Sequence, residues 1–274
     1  MTEIQTLAAG LRSGQIIPYL GPEVLGLDSE MDIPTHPQAL VALITAKVTV
    51  PHKIKNNLTA ACQYVENFKH RKTLISQLQA AFAPAPRPTA LHRFLATPEW
   101  SLPLIVDTWY DATMALALSE SGCDFGQVQG VSRAEYLNDW VHYFDHEARK
   151  VEAESSDHWK TLLYKPLGSI APASNFIISD SDYVEVLTEI DIQTPIPERV
   201  KHLRTGRSFL FMGCRFRNQL ERNYARQIMK RSSDRHIAVL HGDITRNEAR
   251  FLDEQGIERV DLPLAEFVAA LTEA

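Results

Sequence analysis

Cysteine is scarce in this chain and never closely paired. Only Cys62, Cys123 and Cys214 occur in 274 residues, far apart and odd in number. That excludes a disulfide framework and any Cys-x-x-Cys metal knuckle, and it suits a reducing cytosol. A basic excess is missing too: 28 Lys and Arg face 34 Asp and Glu, a net charge of −6. Such a balance argues against a general nucleic-acid binder. No apolar run approaches the roughly 20 residues that a membrane-spanning helix needs. Residues 1–11 lack the continuous apolar stretch and cleavage-like site of a signal peptide. Internal repeats, low-complexity tracts and long linkers are absent as well. The expectation is a soluble, cytoplasmic protein with no metal, no membrane and no nucleic acid among its partners.

What is present is ordinary globular material. The hydrophobic fraction is 45% and the charged fraction 23%. A chain of this length buries enough apolar surface to fold as one large domain without staples. The pattern alternates short apolar strands with helices. Residues 3–12 read as an amphipathic helix, 16–20 as a buried strand, and Gly21-Pro22 as a turn. Helical periodicity runs from Pro37 to about Phe82 and ends at the proline-rich stretch 83–88. Further strands are expected at 102–106, 162–164, 176–178, 208–212, 236–240 and 259–262, and an acidic helical insertion at 132–159. Helices are expected at about 112–119, from Asp180 onward, at 219–231, at 247–254 and at the C-terminal end. Alternation of this kind predicts a mostly parallel sheet covered on both faces. Ligands in such sheets sit beyond the carboxyl ends of the strands, where the strand order reverses. The turns after Leu20, Val106, Tyr164 and Met212 are therefore where chemistry is expected.

Those turns resemble one family. Ile16-Ile17-Pro18-Tyr19-Leu20-Gly21 is similar to the opening strand and glycine turn of the SIR2-like family, the NAD-binding fold of sirtuins and of bacterial defence NAD hydrolases. Leu104-Ile105-Val106-Asp107-Thr108-Trp109-Tyr110-Asp111 resembles its strand ending in Thr-Thr-Asn-Tyr-Asp. Tyr164-Lys165-Pro166-Leu167-Gly168-Ser169 resembles its Lys-Leu-His-Gly turn, and Ile178 to Tyr183 the acidic-tyrosine helix start that follows. Phe209 to Asn218 resembles its Leu-Phe-Leu-Gly-Tyr-Ser strand and turn. The resemblance implies an α/β fold: a SIR2-like, Rossmann-type parallel sheet with helices on both faces. It implies a single domain over 1–274, with helical insertions at about 36–98 and 120–160.

The departures from the family pattern carry the functional reading. Where the family has Gly-Ala-Gly to cradle the NAD phosphates, this chain has Gly21-Pro22-Glu23: proline removes an N–H donor and Glu23 adds a negative charge. The asparagine that holds the nicotinamide ribose and attacking water aligns with Trp109, which has no carbonyl acceptor. The general-base histidine aligns with Leu167, which cannot move a proton at any pH. The adenosine-contacting serine aligns with Arg215 in Gly213-Cys214-Arg215-Phe216, read as a surface or ion-paired arginine. Gly21, Glu23, Asp111, Gly213 and Arg215 then outline a degenerate pocket, and neither a cofactor nor a catalytic residue is expected. Trp109 should intrude where nicotinamide sits in relatives, leaving a smaller and more apolar cavity.

His142 and His146 share one face if residues 132–159 are helical, but no third metal ligand is apparent, so a solvated acidic helix is the better reading. His241-Gly242 spells a histidine-glycine turn after the Gly213 motif rather than before it, and His241 is read as a loop residue. Arg217, Arg222, Arg226 and Lys230 form a basic patch able to steer an acidic protein partner. Within the family the chain most resembles small SIR2-like proteins of nitrogen-fixation systems, of the nitrogenase-associated factor T type. That resemblance implies a non-catalytic accessory factor binding the nitrogenase molybdenum–iron protein during assembly or repair. The alternatives are an NAD hydrolase using atypical residues, with Asp111 or Asp107 as base, and a nucleotide sensor that binds without cleaving.

Overall fold

The first strand, Ile16–Leu20, is buried at every position, as a central parallel strand covered on both faces must be. The computed structural model describes residues 3–100, 102–132, 139–189 and 196–274. Its strands are β1 (Ile16–Leu20), β2 (Leu104–Asp107), β3 (Phe125–Gly130), β4 (Val141–Phe144), β5 (Lys150–Val151), β6 (Thr161–Lys165), β7 (Gly168–Ser169), β8 (Asn175–Phe176), β9 (Ser208–Met212), β10 (His236–Val239) and β11 (Ile257–Val260). Its helices are α1 (Glu3–Arg12), α2 (Pro37–Lys47), α3 (Leu58–Lys69), α4 (Arg71–Ala81), α5 (Ala90–Leu95), α6 (Thr113–Glu120), α7 (Asp180–Glu189), α8 (Glu198–Arg204), α9 (Gln219–Met229), α10 (Arg246–Glu254) and α11 (Leu264–Glu273).

Nine strands form one sheet in the order β11-β10-β9-β1-β2-β6-β3-β4-β5. All pairs from β11 through β3 are parallel, and only β4 and β5 pair antiparallel at one edge. Alternation along β1 divides the core in two. Ile16 and Leu20 pack under α1, α5, α6 and α11, through Leu7, Leu91, Met114 and Phe267. Ile17 and Tyr19 face the opposite layer, which holds Leu40 of α2, Cys62 of α3, Tyr183 of α7, Tyr224 of α9 and Phe251 of α10. The mostly parallel Rossmann-type sheet with helices on both faces is thus the architecture that the alternating pattern predicts.

Helices α2 to α4 make a cap over the second layer. Arg71, at the start of α4, fastens it: Nη1 lies 2.7 Å from Asp182 of α7 and 3.0 Å from Glu66 of α3. Asp182 is itself buried and accepts the backbone N–H groups of Ile178 and Ser179.

Three expectations are corrected. The described part of residues 132–159 is not helical; it is the β4–β5 hairpin followed by a 3₁₀ turn at Ala153–His158. Val141-His142-Tyr143-Phe144 pairs with β3, and the turn is set by Asp145, whose Oδ1 accepts from Glu147 and Arg149 N–H, with Ala148 at φ 62°. The rest of that prediction, residues 133–138, lies outside the described residues. The strand expected at 176–178 shrinks to Asn175–Phe176, paired with β7 outside the main sheet. The last strand begins at Ile257 instead of Arg259.

Candidate functional site

The register places the site. Leu20 of β1 lies opposite Asp107 of β2 and Met212 of β9, and Val106 opposite Tyr164 of β6. The chain therefore leaves all four strands at one edge of the sheet. Strand order reverses beside β1, because β2 lies on one side of it and β9 on the other. A cavity of about 520 Å³ opens there, between the strand ends, the cap and the start of α9. That is a size common for small-molecule sites.

Trp109 and Leu167 both line this cavity. Trp109 is 4% exposed; its indole Nε1 donates to the Pro34 carbonyl at 2.7 Å, and its ring packs against Phe82 and Tyr110. The single donor of the side chain is thereby spent on the loop that enters α2. Leu167 presents only methyl groups. Leu167 and Trp109 thus add apolar surface to a cavity large enough for a small molecule. The Pro34 hydrogen bond and the Phe82 contact hold the Trp109 ring against the cap.

The Gly21 turn has no backbone donors free for a phosphate. Gly21 N–H donates to Met212 O at 2.9 Å, Glu23 N–H to Gly213 O at 3.1 Å and Val24 N–H to Gly21 O at 3.3 Å, while Pro22 has none to give. The two glycines serve a close approach of loops. A Cβ on Gly21 would fall 2.3 Å from the Gly213 carbonyl oxygen, and one on Gly213, at φ 68°, would fall 2.6 Å from the Val24 nitrogen. Glu23 stands at the cavity wall beside this turn.

Arg215 is ion-paired. Its Nε lies 3.3 Å from Oε1 of the buried Glu248, and its two terminal nitrogens donate to the carbonyls of His241 and Asp243. Glu248 also accepts from Phe216 N–H and from Thr245 N–H, and so ties the loop after β9 to α10. Burial pushes the Glu248 carboxyl up, but the Thr245 hydrogen bonds and Arg215 hold it below its usual range. His241 is exposed, paired with Asp261 at 3.1 Å, and reaches Arg215 only through its carbonyl.

Asp111 does not belong to the pocket. It is buried, its Oδ1 accepts the Thr113 N–H at 2.8 Å, and it does not line the cavity. Its place at the start of α6 explains this, since the carboxylate meets a backbone donor two residues ahead. Asp107 is also held back: its Oδ2 lies 2.7 Å from Nζ of the equally buried Lys165. Burial pushes the Asp107 carboxyl up to about 6 while Lys165 opposes it. This ion pair ties the ends of β2 and β6, two strands that sequence spacing does not show to be neighbours.

The cavity also holds groups that the sequence analysis did not single out. Tyr19, Tyr110, Tyr183, Tyr224 and Phe216 line it, as do the carboxylates of Asp180 and Glu221. Glu221 follows Asn218 at the spacing of a capping box, and its Oε2 accepts the Asn218 N–H at 3.3 Å. Burial pushes its carboxyl up to about 7, although the Asn218 N–H opposes the shift. The Asn-x-x-Glu spacing right after a glycine turn was the available signal.

The basic patch is less free than its spacing suggests. Arg222 Nη1 folds back onto the carbonyls of Phe216 and Arg217, at 2.6 and 2.9 Å. Arg226 lies over the Phe251 ring and 4.0 Å from Glu254. Arg217 and Lys230 are exposed, and Lys230 stands just past the last turn of α9. His142 lies on a strand, 3.1 Å from Asp139, and His146 is exposed in the following turn, so the two share no helical face. No group of His, Cys, Asp and Glu suited to a metal occurs among the described residues, and none of their helices is long and apolar enough to cross a membrane.

A doubly wound sheet with its cavity at the switch point beside β1 defines a Rossmann-type ligand-binding fold. A family model, the SIR2-like domain, matches residues 103–260. That is more than half of the chain, and the protein belongs to the SIR2-like family. The matched stretch spans β2 to β11, including the Trp109, Leu167 and Gly213 turns; β1 and the cap precede it. No curated protein is significantly similar to the chain.

Proposed function

We propose that this is a SIR2-like protein that does not cleave NAD and acts by binding another protein. The observation that carries the reading is the pair of side chains at the cavity. An indole whose only donor goes to Pro34, and a leucine, stand where the family chemistry needs an amide and a base. The occupied amides of the Gly21 turn support it further. The hydrolase alternative loses support, since Asp107 faces Lys165 and Asp111 serves α6. By resemblance to the factor T type of nitrogen-fixation accessory proteins, the partner is the nitrogenase molybdenum–iron protein, met in the cytoplasm.

Two surfaces offer themselves for docking. One is the exposed basic rim of Arg217, Arg226 and Lys230. The other carries Phe68 of α3 and Val184 of α7, 65% and 60% exposed on helices that pack together. Affinity capture from a nitrogen-fixing cell should recover the molybdenum–iron protein, with association slowed by added salt. Changing Arg217, Arg226 and Lys230 together to glutamate should lower the association rate about tenfold or more. Arg222 is left intact, because it holds the loop before α9. An unchanged rate and salt dependence would move the contact to the Phe68 face, and absence of binding to the purified partner would remove it from the reading. A second reading, a sensor that binds a small molecule without cleaving it, is favoured by the size of the cavity.

A further inference from the structure

We propose that the cavity at the strand ends is a binding site for an organic cation with an apolar body, such as an alkylated or aromatic ammonium ion. The inference stands apart from the protein-binding reading and does not depend on it. It begins with charge. Three carboxylates, Glu23, Asp180 and Glu221, line the cavity. The arginines that line it are Arg215 and Arg217, and Arg215 is already paired with Glu248 and two carbonyls. Arg217 is then left against Glu23, Asp180 and, above about pH 7, an ionised Glu221, the reverse of what a pyrophosphate requires.

The walls supply the second observation. Trp109, Tyr110, Tyr183, Tyr224 and Phe216 surround the space with aromatic rings. Tyr183 and Tyr224 meet edge to face at 6.3 Å, and Tyr110 donates its hydroxyl to Ile177 O. Ring faces attract cations, most strongly where water is excluded. The third observation is Tyr19. It is 4% exposed, lines the cavity, and its hydroxyl has no hydrogen-bond partner among the described residues. A hydroxyl that opens only onto the cavity is satisfied there by a ligand or by water. Acidic groups at the wall, aromatic residues around it and an unpartnered tyrosine hydroxyl beside them suit one ligand class: a positive head with an apolar body.

Isothermal titration of the full chain with benzyltrimethylammonium at about pH 8.5, where Glu221 is ionised, tests this directly. The neutral 4-tert-butylbenzyl alcohol and NAD serve as comparison ligands. The cation should bind about tenfold more tightly than the neutral compound, within the range that desolvated cation–π contacts span. Glu221→Gln and Glu23→Gln should each weaken it several-fold. Glutamine keeps the capping box at position 221, so the fold survives that change. Three results would each overturn the proposal: no heat with millimolar cation, equal binding of the neutral compound, or NAD binding more tightly than the cation. Cation binding that both glutamine variants leave untouched would also overturn it, since the site would then lie elsewhere.

Discussion

At the scale of single residues, position decides what each side chain can do. Trp109 and Leu167 are ordinary core-forming residues; they matter because the ends of β2 and β6 deliver them to the switch-point cavity. Glu221 shows how far burial can move a carboxyl that the sequence alone does not mark out. Its carboxyl titrates at about 7 in the fold against 4.5 when free, because burial disfavours the ionised form. Below pH 4.5 it is protonated in both states and no penalty exists. As pH rises toward 7 the unfolded chain ionises first, and the folded state loses stability over that window. Glu221→Gln should therefore be nearly neutral in acid and more stable than the parent by about 2 kcal/mol near pH 8.5. Urea unfolding at the two pH values measures this, and an equal difference at both would assign Glu221 an ordinary carboxyl.

Elements explain why glycine stands at positions 21 and 213 although the amides of the Gly21 turn are occupied. The loops after β1 and β9 approach so closely that a methyl group on Gly21 meets backbone. Gly21→Ala should lower stability by about 2 kcal/mol or more, an overpacking cost. Gly26→Ala, where a Cβ meets nothing within 4 Å, should be nearly silent. Thermal unfolding of both variants checks it; a silent Gly21→Ala would mean that the glycine serves ligand access instead. Strands β1, β2, β6, β9 and β10 were legible because buried parallel strands are short apolar runs, as in Ser208–Met212. Strand β3 was not, because Gly126, Gln127, Gln129 and Gly130 interrupt its apolar pattern, and it falls within the stretch 120–160 expected to be a helical insertion. The β4–β5 hairpin was not legible, because its His, Tyr and Asp residues mimic an acidic helix and its register depends on β3, a partner that local pattern cannot reveal. Site residues carried by the turns were readable one by one. Their commitments were not: Arg215 to Glu248, Lys165 to Asp107, and Asp111 to Thr113 all depend on packing between elements or on local turn geometry.

For the whole molecule, fold and function separate. Membership of the SIR2-like family fixes where a ligand would sit, and the residues at that place decide whether NAD can be cut. On the proposed reading, the charge of the cavity, the occupied amides of the Gly21 turn and the leucine at 167 do not suit cleavage of a dinucleotide. Restoring two residues, Trp109→Asn with Leu167→His, leaves the Gly21 turn without free donors and Glu23 in place. The decisive measurement is nicotinamide release from NAD by the purified full-length protein. The account predicts none above the rate of NAD alone, in the parent and in the double variant. Release by the parent at the rate of an active family member, lost on Asp111→Ala, would contradict it and make this protein an enzyme.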